Sequence, residues 1–187
     1  MVEACRESFE NVIKTVIDDN DRDALVPLNT LHATIMVFRL HSEADLPKWK
    51  RILQSIKLRK VKISLKGTGI FPVKPNTNFT KVFFVKVLGL DDLIHDIVQK
   101  AITEGLVTEK ELSFIYFDKK TDMYRTEQTH LTILKTKGDD IIDATMYLKQ
   151  LAKFSIPRVN FSDIRLSMLG SFDGEEYYDD FVIPVDK

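Results

Sequence analysis

The sequence predicts an α+β chain built from two similar halves, with two antiparallel sheets flanking a central cleft and helices outside. Three observations predict it. The order of apolar periodicities reads helix, strand, helix, strand, strand, and then the same order again. Each half holds one short β-branched strand with the pattern His-x-Thr, at His32-Ala33-Thr34 and at His130-Leu131-Thr132. The two histidines stand 98 positions apart, as do Ser64 and Ser162, and Phe84 maps onto Val182 at the same offset. An internal duplication accounts for a fixed offset of this length better than a solenoid does, since only two copies exist. One domain over residues 1–187 is expected, with pseudo-repeat lobes of about 1–90 and 91–187 meeting at the cleft.

The first helix is expected over 3–19, where Phe9, Val12, Ile13 and Val16 recur at helical spacing and Glu7, Glu10, Lys14 and Asp18 face away. After the polar connection 20–23 and Pro27, a strand over 31–40 carries the first His-x-Thr. Ser42 and Asp45 suit a helix N-cap, Pro47 a first turn, and Trp49, Ile52, Leu53 and Ile56 a buried stripe. Strands follow over 61–71 and 80–88, joined by the Pro- and Asn-rich loop 72–78. A helix over 91–104 opens on acidic residues and stops at Gly105. The stretch 106–128 reads as irregular, with a short strand near 114–117. The second His-x-Thr strand, 129–135, precedes a helix over 140–154 and two last strands over 161–169 and 177–185.

Composition narrows the partners. Apolar residues make up 44% of 187, interleaved with charge, and the longest apolar runs fall far short of the ~18 residues a membrane span needs. No basic region followed by an apolar core opens the chain, so no signal peptide is expected. The single Cys5 forms no internal disulfide and fits a cytoplasmic or nuclear setting. The only basic cluster near an import signal is 57–62, at a helix–strand boundary. A net charge of −1 argues against a broad grip on long nucleic acid. It leaves room for a short anionic ligand in a local pocket, held by a monomer.

On a strand, His130 and Thr132 share one face, and so do His32 and Thr34. Two imidazoles across a cleft can supply one proton acceptor and one donor near neutral pH. The threonine hydroxyls can hold phosphate oxygens as charge builds up on them. This chemistry needs neither a metal nor a cofactor. Each of these residues also has a plain structural reading, and it is their recurrence in equivalent places that favours catalysis. Lys135 suits a phosphate ligand or a surface strand end. Phe71, Tyr124 and Arg125 can stack on a base or grip a phosphate at the cleft mouth, or belong to the core. His41 and His95 complete no metal set. Gly67-Thr68-Gly69 lacks the Gly-Lys-Ser/Thr of a phosphate loop and reads as a bulge.

Together, Leu31-His32-Ala33-Thr34-Ile35-Met36-Val37, Lys66-Gly67-Thr68-Gly69-Ile70-Phe71 and Thr129-His130-Leu131-Thr132-Ile133-Leu134-Lys135 resemble the two-histidine (2H) phosphoesterase superfamily, also termed LigT-like. Within it they are most similar to the central domain of nuclear A-kinase anchoring proteins. The resemblance implies a bilobal fold and metal-independent hydrolysis of RNA-type 2′ phosphodiesters. The implied substrates are short 2′,5′-linked oligonucleotides such as 2′,5′-oligoadenylate, or RNA ends. The alternative is a module that binds AMP or an RNA end with little turnover. By position it makes His32 and His130 the acid–base pair and Thr34 and Thr132 the phosphate binders. Two departures stand out. Helix-like sequence begins at Val2 where a first strand is usual, and Thr129 replaces the proline that often precedes the second histidine. No amphipathic tail follows Val185, so kinase anchoring is not carried over.

Overall fold

A computed structural model of the chain describes residues 3–56, 61–127, 129–159, 163–167 and 179–184. The first helix, α1 (Glu3–Val16), turns Phe9 into the core and packs Val12, Ile13 and Val16 against it. Asp18 then caps a 3-10 turn over Asp19–Ala24 by accepting from the Asn20 backbone N–H. Helix α2 (Leu46–Gln54) follows a 3-10 turn (Glu43–Asp45) capped by Ser42, with Pro47 in its first turn, and buries Trp49, Ile52 and Leu53.

The main sheet is antiparallel. Strands β1 (Ile63–Pro72) and β2 (Phe79–Leu88) form its central hairpin; β5 (His130–Lys135) joins the outer side of β2 and β7 (Ser155–Val159) the outer side of β1. The order is therefore β5-β2-β1-β7, with the two-residue β6 (Ile142–Asp143) also paired to β2. Helix α3 (Asp91–Thr103) opens on Asp91 and Asp92, which suit its positive end, and buries Leu93, Ile94, Ile97, Val98 and Ala101. Hairpin β3–β4 (Ile115–Asp118, Met123–Thr126) packs on α3. Helix α4 (Thr145–Gln150) precedes β7, and β8 (Asp163–Ser167) pairs with β9 (Asp179–Pro184).

Four expectations change. The stretch 31–40 is not a strand: it touches the sheet through one antiparallel bridge, Ala33 to Leu131. The reason lies upstream, where Leu25 bridges Leu134 and Val26 donates to the Ile133 carbonyl. Between Leu25 and Ala33 the chain makes a 3-10 turn (Leu28–Thr30) while β5 advances only from Leu134 to Leu131, so the segment loops outward and regains the ladder once. Its apolar residues still find the core; the Phe38 ring stacks on Trp49 at 3.9 Å between centroids.

The helix expected over 140–154 shortens to α4, because Ile142 and Asp143 pair with β2 instead. Strand β4, which pairs with β3, arises within the stretch read as irregular. Finally, the halves share strands: β5 and β7 from the second pair with β2 and β1 from the first. The described residues thus form one antiparallel sheet drawn from both halves and two hairpins rather than two matching sheets. Ser162, the expected strand ends at Phe161, Leu169, Tyr177 and Val185, and residues 57–60 of the basic cluster lie outside the described residues. Among those described, no helix is long and apolar enough to cross a membrane.

Candidate active site

The register of the Ala33–Leu131 bridge brings the motifs together. In an antiparallel pair, residues flanking a bridge oppose one another, so His32 lies across from Thr132 and Thr34 across from His130. Ala33 and Leu131 turn toward the core, where both pack. Alternation on β5 sends His130 and Thr132 to the opposite face, and His32 and Thr34, which flank Ala33, are exposed. Two histidines and two threonines are thereby set in a crossed register about the bridge.

His32 has its orientation fixed by its own turn. Its Nδ1 lies 2.9 Å from the Thr30 carbonyl, which can only accept, so Nδ1 carries a proton. In the neutral ring Nε2 is then the basic nitrogen. Thr30 itself is buried, with its hydroxyl donated to the Pro27 carbonyl at 2.8 Å, which steadies the turn.

His130 rests on aromatic rings. The Phe84 ring centre is 4.9 Å away and the Phe71 ring, nearly perpendicular, 5.0 Å; the two phenylalanines lie 4.8 Å apart. Phe84 has 0% exposure yet lies outside the main apolar cluster, on the histidine face of the sheet. Gly69 sits directly across from it on β1 and brings no side chain, leaving that row to the rings. Phe71 is 45% exposed, with its ring against His130.

A bulge places Lys135. Phe83 pairs with Leu134 but Phe84 with Thr132, so Ile133 is the extra residue, and Lys135 then pairs with Val82. That shift puts Lys135 on the face of Thr132 and His130, exposed, one row beyond Thr132. Among the described residues, neither the Thr34 and Thr132 hydroxyls nor the Lys135 ammonium has a hydrogen-bond or ion-pair partner. These three groups can meet an anion without giving up a protein contact.

Tyr124 and Arg125 stand on β4, on the hairpin against α3. The buried Tyr124 hydroxyl donates to Glu109 at 2.7 Å, and burial together with that carboxylate pushes its pKa up to about 12. The Arg125 Nε lies 3.2 Å from the Thr121 hydroxyl and 3.5 Å from Asp118; its Nη1 is 3.8 Å from Asp91. Asp118 is held below its ordinary carboxylate range, chiefly by the Lys120 backbone N–H and the Thr121 hydroxyl. His41 pairs with Glu111 at 2.7 Å, and His95 Nδ1 accepts from the Tyr124 backbone N–H at 3.1 Å. Among the described residues no three His, Cys, Asp or Glu gather as metal ligands would.

Sequence reading alone missed Phe84 and Thr30. Phe84 is one letter in the apolar run Val82-Phe83-Phe84-Val85, where nothing distinguishes the ring beneath the histidine from those in the core. Thr30 contributes a backbone carbonyl, which no side-chain pattern reports.

Two His-x-Thr motifs set against one another across an antiparallel bridge define the two-histidine phosphoesterase class. A family profile described as the AKAP7 2′5′ RNA ligase-like domain matches residues 2–181, and the chain belongs to that family. No curated protein matches it.

Proposed function

We propose that the chain is a metal-independent 2′,5′-phosphodiesterase acting on short 2′,5′-linked oligonucleotides or RNA ends. The crossed register set by the Ala33–Leu131 bridge carries this reading, since it brings two imidazoles and two hydroxyls together. One imidazole takes the proton of the attacking oxygen as that oxygen bonds to phosphorus. The other, as imidazolium, gives its proton to the leaving oxygen as the old phosphorus–oxygen bond breaks. The direction of attack decides which histidine plays which part. Thr34 and Thr132 donate to the non-bridging oxygens, where charge accumulates.

Lys135 is assigned to phosphate and Phe71 to a base stacked over its exposed ring. Tyr124, buried with its hydroxyl on Glu109, and Arg125, engaged by Thr121, Asp118 and Asp91, take no part in this reading. The two halves are read as pseudo-repeat lobes of one monomeric domain, working in the cytoplasm or nucleus.

Chromatographic product analysis with 2′,5′- and 3′,5′-linked triadenylate in chelator tests the proposal. Selective loss of the 2′,5′ compound, abolished in the His32→Ala/His130→Ala variant, is expected. Survival of every 2′,5′-linked and cyclic-phosphate substrate offered would sink it.

A second reading has one observation in its favour: His32 and Thr34 are exposed on a segment tied to the sheet by a single bridge. In that reading the site binds AMP or an RNA end with little turnover. Calorimetry separates the two, because AMP affinity that weakens in His130→Ala, with no product formed, selects the binding module.

A further inference from the structure

The two motifs are held very unequally. Strand β5 pairs with β2 from His130 to Lys135, whereas the stretch from Ile35 to His41 makes no backbone–backbone hydrogen bond among the described residues. Ile35, Met36 and Phe38 pack against the core, and the Phe38 ring lies on Trp49. One polar contact completes the attachment: His41 Nε2 stands 2.7 Å from Glu111 Oε1. A carboxylate only accepts, so Nε2 carries the proton of that contact.

Glu111 is a firm anchor for it. Its Oε2 accepts from the Thr108 backbone N–H at 2.8 Å and from the Thr108 hydroxyl at 2.7 Å, in the capping box of the 3-10 turn Glu109–Glu111. The Thr108 bonds first, and His41 with them, hold the Glu111 carboxyl below its ordinary range. Leu112, the next residue, is buried and ties the turn to the core. The first-motif segment is thus fastened to the second half of the chain twice, by the Ala33–Leu131 bridge and by the His41–Glu111 pair.

We propose that His41 and Glu111 are positioning residues for the histidine site. Their ion pair seats the stretch from Ala33 to His41, and so fixes where Thr34 and His32 stand against His130 and Thr132. Both act through the chain that joins His41 to the motif. The effect on rate rests on the phosphodiesterase reading, whereas the seating itself does not.

The chain carries its own probe of seating. Trp49 is the single tryptophan, is 2% exposed, and is covered by Phe38 of this stretch. Acrylamide quenching of its fluorescence therefore reads how often the stretch lifts. A half-exposed ion pair shifts such an opening by up to about fivefold, so His41→Ala is expected to raise the quenching constant by up to that factor. The His32 imidazole resonance in NMR is expected to shift with it, while far-ultraviolet circular dichroism stays unchanged. His41→Gln keeps a donor for Glu111 and is expected to restore both. Glu111→Gln keeps the capping box and removes the charge, and so tests the same pair from the other side.

None of these readings needs turnover. On a cleaved 2′,5′-linked oligonucleotide, His41→Ala is expected to lower kcat about threefold, with the rate recovered in His41→Gln. KM should hold, because Lys135 and Phe71 sit on β5 and β1. Quenching or a His32 resonance unchanged in His41→Ala overturns the proposal, as does a displaced His32 with kcat unchanged. A lifted stretch and a displaced His32 in a protein that cleaves nothing support the seating and fail only the phosphodiesterase reading.

Discussion

Ala33 pairs with Leu131 in an isolated antiparallel bridge, and this one contact sets each histidine across from the other motif's threonine. In the proposed mechanism a proton donor, a proton acceptor and two hydroxyls held in one register act as a unit. Removing one member of such a unit costs nearly as much as removing two. His32→Ala or His130→Ala is therefore expected to lower kcat about 10²- to 10⁴-fold. The double variant should fall little further than the worse single one. Steady-state kinetics on the cleaved oligonucleotide checks this, and losses that multiply would mean the two rings work independently.

Phe84 and Phe71 touch the same imidazole but differ in what they support. Phe84 is wholly buried beneath His130, so Phe84→Ala leaves a cavity and is expected to destabilise the fold by about 3–5 kcal/mol. Phe71 is nearly half exposed, and Phe71→Ala is expected to cost about 1 kcal/mol or less while raising KM. Urea unfolding of both variants, with kinetics on Phe71→Ala, separates the roles. Equal losses of stability would place Phe71 in the core.

How much of this was legible in the sequence follows from how local each cause is. The α3 stripe from Leu93 to Ala101 and the hairpin strands β1 and β2 are written in periodicity and turn residues, and they fall close to where they were expected. The first motif was legible as chemistry but not as structure. Leu31 to Ile35 has strand-like composition, yet Leu25 and Val26 already occupy the edge of β5 at Leu134 and Ile133. Strand formation depends on a free partner, which propensity does not record. The bulge at Lys66–Gly67 was legible in Gly67-Thr68-Gly69, whereas the one at Ile133 was not. The Ile133 bulge moves Lys135 to the histidine face, and with no glycine to mark it this bulge becomes visible only once the partner strand is known.

Gly89 occupies the turn from β2 into α3 at φ +94°. A Cβ there would stand 2.0 Å from the Lys62 carbonyl oxygen, which is backbone and cannot swing away. Gly89→Ala thus combines a disfavoured backbone conformation with a clash and is expected to destabilise by well over about 1 kcal/mol. Thermal unfolding gives the answer. The same substitution at Gly105, which also has positive φ but nothing within 4 Å of an added Cβ, is expected to be milder.

Tyr124 and Tyr147 report burial through their titration. The Tyr147 hydroxyl donates to Asp21 at 2.5 Å and accepts from the Asp18 backbone N–H at 3.1 Å. Burial first, then the Asp21 hydrogen bond, pushes its pKa up to about 12; burial and Glu109 do the same for Tyr124. In both, folding favours the neutral phenol. A folded value above the unfolded value of about 10 adds stability that is complete below pH 10. That contribution is lost as pH climbs from about 10 through 12. Ultraviolet difference titration should therefore show Tyr124 and Tyr147 ionising only on approach to pH 12. Tyr147→Phe should remove one of the two. Glu109→Gln should draw Tyr124 downward while leaving it above the ordinary phenol value, because burial, the larger cause, remains. A Tyr147→Phe protein with the late absorbance unchanged would show that Tyr147 is not held in the Asp21 contact.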